Sequence, residues 1–275
     1  MSLMSKLLMS SIAGSLVVSA GNFDVSKFVR KNIIKNPQVK VNSVKTIGVK
    51  EVAKDSKWKA YMILSNMTFH KRNVKEPMTI FVDEKDGLAT MALLDMKSGK
   101  DYSRSIKPDM PNTYYNDAHL VMGNKDAKHK MVLFSDPQCP FCVAYVPKML
   151  KDFKDKKPDV ALYYYHMPLL RLHPVSGVLT RVMEVLHNEG KMDQALKIYG
   201  LKINPRETNE TKILLALKKQ LNINVSKEDI NKKEIKSAVK KDVDAAMMMM
   251  IRGTPTVYFD GKYDGDRSQY KKYLK

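Results

Sequence analysis

Cys139 and Cys142 are the only cysteines in the 275-residue chain, and two residues separate them. Two thiols cannot staple a small disulfide scaffold, and they cannot complete a four-cysteine zinc site within one chain. What surrounds them is as constraining. Met131-Val132-Leu133-Phe134 is an unbroken apolar run, the signature of a strand buried on both faces. It stops at Ser135-Asp136-Pro137. After the cysteines, Val143, Val146, Met149, Leu150 and Phe153 recur at helical spacing until Pro158 closes the helix. Residues 160–167 read as a second strand. Strand, helix and strand at this spacing predict a βαβ unit with the cysteine pair at the mouth of its helix.

The rest of the chain organises around that unit. Between His173 and Arg252, four stretches have helical periodicity: 175–187, 192–199, 211–221 and 227–251. Ser226 and Asp229 suggest a capping box for the last of them. Gly253 stops it, residues 256–259 read as a strand, Asp260-Gly261 as a turn, and 267–274 as a short final helix. Upstream, one helix carrying Val25, Phe28, Val29 and Ile33 precedes four strand-like runs at 39–49, 58–69, 78–82 and 88–96. A hairpin loop with Gly87 joins the last two, and Ser98-Gly99 marks a further turn. One helix over a meander leaves a sheet face or edge to be covered, and self-association is one way to do so. Pro108, Pro111 and Gly123-Asn124 give the intervening stretch the look of a linker. The expected layout is therefore 21–106, a small α+β amino-terminal domain; 107–128, a linker; and 129–275, an α/β domain with a helical insertion at about 174–252.

Residues 1–20 read as a secretory signal. Lys6 supplies the positive end, a mostly apolar stretch follows, and Val18-Ser19-Ala20 offers small residues before a cut near Ala20-Gly21. The apolar stretch is shorter than the roughly 20 residues of a spanning helix. The expected location is the periplasm, an oxidising compartment where a cysteine pair can cycle. The chain carries 48 Lys and Arg against 29 Asp and Glu, a net charge of +19. The excess is spread along the chain, and no zinc-finger, phosphate-loop or stacking-aromatic motif accompanies it, so nucleic acid is not an expected partner.

Cys-x-x-Cys chemistry needs one thiolate to attack a disulfide and a second thiol within reach to resolve the mixed disulfide. At the first turn of a helix, free backbone N–H groups and the helix dipole stabilise a negative sulfur. Cys139 is therefore the expected nucleophile, with its pKa below the roughly 8.5 of a free thiol. Cys142, one turn in, is the expected resolving thiol. Pro140 suits the first turn because it has no N–H to satisfy, and Phe141 adds an apolar contact for a client. A structural disulfide gains little from so short a loop. Half of an intersubunit zinc site would need ligands that His166 and His173 do not supply at paired spacing. The Met247–Met250 run reads as ordinary packing at a helix end, not as a copper site. Asp136 reads as a turn or capping residue. Leu133 occupies a strand position where some oxidoreductases place an acid, so no acid–base helper for Cys142 is identified.

The segment Phe134-Ser135-Asp136-Pro137-Gln138-Cys139-Pro140-Phe141-Cys142 resembles the active-site segment of the bacterial Dsb thiol–disulfide oxidoreductases, which have a thioredoxin fold. Gly253-Thr254-Pro255 is similar to the family's cis-proline loop, and Pro147 falls where thioredoxin-like active-site helices commonly kink. The resemblance implies a thioredoxin-like catalytic domain in which Thr254 and Pro255 present their backbone to an extended client, as in strand addition. An amino-terminal domain, a linker and Thr254 before the proline are similar to the DsbC/DsbG group. By that resemblance the chain is a homodimeric isomerase or reductase of misfolded secreted proteins. It needs no cofactor beyond the redox-active Cys139–Cys142 pair, and it has a membrane thiol–disulfide protein as redox partner. Two other readings stand beside it: a DsbA-like oxidase that introduces disulfides into reduced secreted proteins, and a redox-independent basic binding protein or holdase.

Overall fold

The computed structural model describes residues 23–274. The expected signal at 1–20 and its cleavage point lie outside the described residues. The chain divides into two compact units, one ending at Leu93 and the other running from Leu94.

In the first unit, helix α1 (Val25–Phe28) starts at Asp24, whose carboxylate accepts from the Lys27 N–H at 2.9 Å. That contact satisfies one of the helix's free N–H groups. The helix continues as a wider π-helical turn over Val29–Ile33. Strands β1 (Val39–Glu51), β2 (Trp58–Phe69), β3 (Arg72–Asp83) and β4 (Leu88–Thr90) follow as an antiparallel sheet in chain order. Val25 and Val29 pack with Tyr61, Ile63, Ile80 and Val82 to form its core.

Two strands depart from the sequence expectation. β3 begins six residues before Met78, in the polar stretch Arg72 to Pro77, because every one of those residues pairs with β2. The hairpin that makes this possible turns on His70 and Lys71, both at positive φ (47° and 61°), with no glycine to announce it. β4 ends after three residues instead of reaching Met96. There the Thr90 hydroxyl accepts from the Ala92 N–H and donates to the Ala92 carbonyl, folding the chain out of the ladder.

The second unit opens with the short helix α2 (Tyr102–Ser105). Its sheet combines β5 (Leu120–Met122), β6 (His129–Ser135), β7 (Val160–His166), β8 (Thr256–Phe259) and β9 (Lys262–Asp264), in the order β5-β7-β6-β8-β9. β6 and β7 are parallel and joined by α3 (Pro140–Lys156); β6 and β8 are antiparallel. Met131 and Leu133 enter one core and Val132 and Phe134 the other, so β6 is buried on both faces, as its apolar run requires.

Helices α4 (Ser176–Asn188), α5 (Met192–Leu196), α6 (Glu210–Leu221), α7 (Lys227–Asn231) and α8 (Lys233–Met248) are inserted between β7 and β8. The last two read as one helix in the sequence. Ile230 and Ile235 lie about 140° apart on a continuous helix, and the extended Lys232 (ψ 142°) lets both reach the core. Met249 and Met250 are buried, as packing residues at that helix end should be.

The stretch expected as a linker is fastened along this unit. The Lys107 ammonium donates to the Met250 carbonyl at 2.8 Å, the Met110 N–H to the Gly261 carbonyl at 2.8 Å, and the Tyr114 hydroxyl to the Ala245 carbonyl at 3.1 Å. β5 then adds an edge strand beside β7. Prolines interrupt regular structure here, but the buried Met110 and the half-buried Tyr114 and Tyr115 supply the adhesion. Both units together make the class expected from sequence: an α/β unit with a helical insertion plus a small α+β unit.

Candidate active site

The site is assembled where three chain segments leave the sheet at the same end. β6 delivers Ser135 and then a loop to Cys139. β8 runs antiparallel to β6 with Thr256 opposite Phe134, so the residues just before β8, Thr254 and Pro255, lie beside the loop that leaves β6. β7 runs parallel to β6 and sends Met167 to Leu172 out past the same edge.

Asp136 ties this end together. Its side chain is fully buried and accepts four hydrogen bonds. Oδ1 takes the Gln138 N–H at 2.8 Å and the Ser176 hydroxyl at 2.5 Å; Oδ2 takes the Leu169 N–H at 2.8 Å and His173 Nδ1 at 3.0 Å. The first is the turn contact expected for Asp-Pro. The other three come from residues 33 to 40 positions away, so the residue is a hub as well as a turn former. The Leu169 contact anchors a loop that exposes Leu170 and Leu172.

Cys139 is the N-cap of α3, and Pro140 occupies the first helical position. The Cys139 carbonyl accepts from the Val143 N–H at 2.9 Å, which starts the helix. The helix runs on through Pro147, which has no N–H to give to the turn before it. Both cysteines are in the dithiol form and buried, Cys139 at 4 % and Cys142 at 0 % exposure. Cys139 Sγ lies 3.3 Å from the Thr254 carbonyl oxygen, and the Thr254–Pro255 peptide bond is cis. The Thr254 hydroxyl is buried without a conventional partner and sits where it can donate to either sulfur. Phe141, between the cysteines, turns outward and is 69 % exposed. All six residues singled out from the sequence are thus gathered around one short stretch of chain.

The two sulfurs differ sharply in acidity. The Cys139 thiol is lowered to about 5, chiefly because Cys142 hydrogen-bonds to it. Thr254 and the backbone N–H groups of Cys142 and Phe141 add to that effect, and burial opposes it. Cys142 is pushed far up, first by burial and then by giving its hydrogen bond to Cys139. At neutral pH the arrangement holds one thiolate and one thiol in contact, the pairing that nucleophilic attack and later resolution require.

Several residues of the site were not foreseen. Ser135 ends β6 beside Cys142, and the Tyr199 hydroxyl donates to it at 2.6 Å. Tyr164 and Tyr199 meet at 2.8 Å. His173 and Ser176 serve Asp136. Only Ser135 lies within the segment that carries the resemblance; the others belong to no motif. His166 and His173, weighed as zinc ligands, point to different partners, Glu184 and Asp136. Among the described residues no group of three His, Cys, Asp or Glu side chains is placed to hold a metal ion.

A family model described as thioredoxin matches residues 115–275. The probable disulfide bond formation protein D of Bacillus cereus is 27 % identical over 173 residues, covering 56 % of this chain and 78 % of that protein. Its counterpart from Bacillus anthracis is 29 % identical over 155 residues, covering 51 % and 69 %. Among solved structures, oxidised BdbD from Bacillus subtilis is similar with a TM-score of 0.47 and 22 % identity, covering 61 % of this chain and 92 % of that one.

Proposed function

The chain belongs to the thioredoxin family, and from that premise we propose that it is a thiol–disulfide oxidoreductase whose main direction is the oxidation of dithiols in client proteins. One observation carries the reading: Cys139 is the N-cap of α3, its thiol lowered to about 5 by the donors around it, while burial holds its neighbour Cys142 as a thiol. A well-stabilised thiolate is a good leaving group, and a disulfide that releases one is a strong oxidant. Within this fold, attacking cysteines range from a pKa of about 7 in the reductant thioredoxin to about 3.5 in the oxidant DsbA. Cys139, lowered to about 5, falls between the two. Two relatives bearing the name disulfide bond formation protein support the same direction over isomerisation.

In this reading Cys139 is the nucleophile and Cys142 the resolving thiol, with Pro140 and Phe141 shaping the turn between them. Thr254 and Pro255 receive an extended client segment, through the backbone at 254 that already faces Cys139. The clients are reduced secreted proteins. Turnover requires a separate thiol–disulfide protein to reoxidise the pair. The signal-like pattern of residues 1–20 supports an oxidising compartment outside the cytoplasm. Among the described residues no helix is long and apolar enough to cross a membrane.

The DsbC/DsbG-like reading, a homodimeric isomerase or reductase, keeps two supports: the separate sheet unit ahead of the catalytic one and Thr254 before the cis proline. Equilibration with glutathione separates the two directions. A potential of about −120 mV, with oxidation of a reduced client, is expected for the oxidase. A potential of about −180 mV or lower, with repair of scrambled disulfides and a dimer mass by light scattering, would replace it with the isomerase or reductase.

A further inference from the structure

Opening the Cys139–Cys142 disulfide leaves a charge in an unfavourable place. When a client thiolate attacks Cys139, Cys142 departs as a thiolate at a position with no solvent exposure. A buried anion is costly unless hydrogen-bond donors meet it. A carboxylic acid on the neighbouring strand is one solution, but the available position is Leu133, buried and apolar. Asp136 cannot serve, because both its oxygens already accept two hydrogen bonds each.

What faces Cys142 is a column of hydroxyls. The Ser135 hydroxyl, the Thr254 hydroxyl and the Asp136 backbone N–H are the groups that offset burial at its sulfur, Ser135 first. Tyr199 donates to Ser135 Oγ at 2.6 Å, and the Tyr164 hydroxyl lies 2.8 Å from that of Tyr199. All three side chains are buried. With Tyr199 donating to Ser135, one ordering uses every hydrogen: Tyr164 to Tyr199, Tyr199 to Ser135, and Ser135 to the sulfur. A chain of hydroxyls pointing the same way polarises along its length and strengthens the terminal bond.

We propose that Ser135 is a catalytic residue that donates to Cys142 as it leaves, and that Tyr199 and Tyr164 are positioning residues that hold the Ser135 hydroxyl in the donating orientation, in place of a buried acid. The inference rests on the thiol–disulfide reading of the site. The step balances as follows. A client thiolate forms a bond to Cys139 Sγ; the Cys139–Cys142 bond breaks, and its electron pair goes to Cys142. A second client thiol, as thiolate, then attacks the client sulfur and releases Cys139. The client dithiol has lost two electrons and two protons. One proton ends on Cys142, and the other reaches solvent because Cys139 remains a thiolate. Burial keeps both tyrosines protonated well above neutral pH, so the column acts without changing charge.

The test uses the oxidised full-length chain and a synthetic peptide with two reduced cysteines, under single-turnover conditions. Ser135→Ala is expected to slow disulfide opening about tenfold, the size of one hydrogen bond to a charged group. Tyr199→Phe is expected to slow it by about threefold, and Ser135→Thr, which keeps the hydroxyl, to stay within about twofold of wild type. A second readout separates this role from a structural one. Alkylation of Cys139 in the reduced chain does not require Cys142 to leave, so its rate should be the same in all variants. Opening at the wild-type rate in Ser135→Ala overturns the proposal, and so does an equal fall in opening and alkylation. A wild-type disulfide that the peptide cannot open overturns the thiol–disulfide reading and the column with it.

Discussion

Cys139 and Cys142 stand one helical turn apart, and almost everything that matters chemically differs between their surroundings. Burial does not separate them, since both are nearly without exposure. The donors do. Cys139 sits at the open end of α3, where backbone N–H groups of Phe141 and Cys142, the Cys142 thiol and Thr254 all face its sulfur. Cys142 lies inside the first turn, where its surroundings are the hydrophobic core, the hydroxyls of Ser135 and Thr254 and one further N–H. Depth alone would have raised both thiols. A helix terminus aimed at one of them stabilises a thiolate there and leaves the other as a reserve of one proton.

The largest expected effect is on the sulfurs themselves. Cys139→Ser should bring oxidation of a dithiol peptide down to the uncatalysed level. Offered a disulfide-bonded client, Cys142→Ser should instead trap a mixed disulfide, the Cys139 thiolate displacing one client sulfur as thiolate, visible as an adduct by intact mass spectrometry. If the trap formed in Cys139→Ser and not in Cys142→Ser, the roles would have to be exchanged.

Next comes the loop that holds the two environments apart. Asp136→Ala leaves four donors without an acceptor, two buried and two part-buried, and should lower unfolding free energy by about 3–5 kcal/mol, read from the urea midpoint. A loss below about 1 kcal/mol would mean the hub does not hold the loop.

The comparison also predicts a pH dependence. Reduction adds two electrons, and above about pH 5 it adds one proton, because Cys139 stays a thiolate while Cys142 takes the proton. Raising the pH therefore disfavours reduction, by about 30 mV per pH unit between pH 6 and 8. Below pH 5 both sulfurs are protonated and the slope should double to about 59 mV per unit. A slope of 59 mV at pH 7 in glutathione equilibria would place the Cys139 thiol above neutrality and erase the contrast.

The smallest effect belongs to Phe141. It is exposed between the cysteines, so Phe141→Ala should change stability by no more than about 0.5 kcal/mol while weakening client binding. A larger loss of stability would show that the ring packs against the site.

Much of the catalytic unit was legible because its signals are local. The apolar run at 131–134 needs only its own residues to declare a strand covered on both faces, and the Cys-x-x-Cys pair at the start of a periodic stretch declares a helix terminus. Where the reading failed, the deciding contact was distant. The 107–128 stretch contains two helix- and strand-breaking prolines, and nothing local shows that Met110 and Tyr114 dock on residues more than a hundred positions later. The extra length of β3 depended on β2 offering partners to Arg72 through Pro77. The break at Lys232 depended on where the core lies relative to Ile230 and Ile235.

By itself the sequence determined which sulfur heads the helix, which fold class the spacing permits, and that a Thr-Pro step precedes the last central strand. Only the tertiary structure decided what touches those sulfurs. Tyr164, Tyr199, His173 and Ser176 carry no motif, and they reach Ser135 and Asp136 because parallel and antiparallel pairing with β6, together with the inserted helices, brings distant segments to one end of a sheet. The physical reason is the range of the forces involved. Backbone propensity and helix-end electrostatics act over a turn or two of chain, whereas the hydrogen bonds that hold a buried sulfur or carboxylate form between groups that only folding makes neighbours.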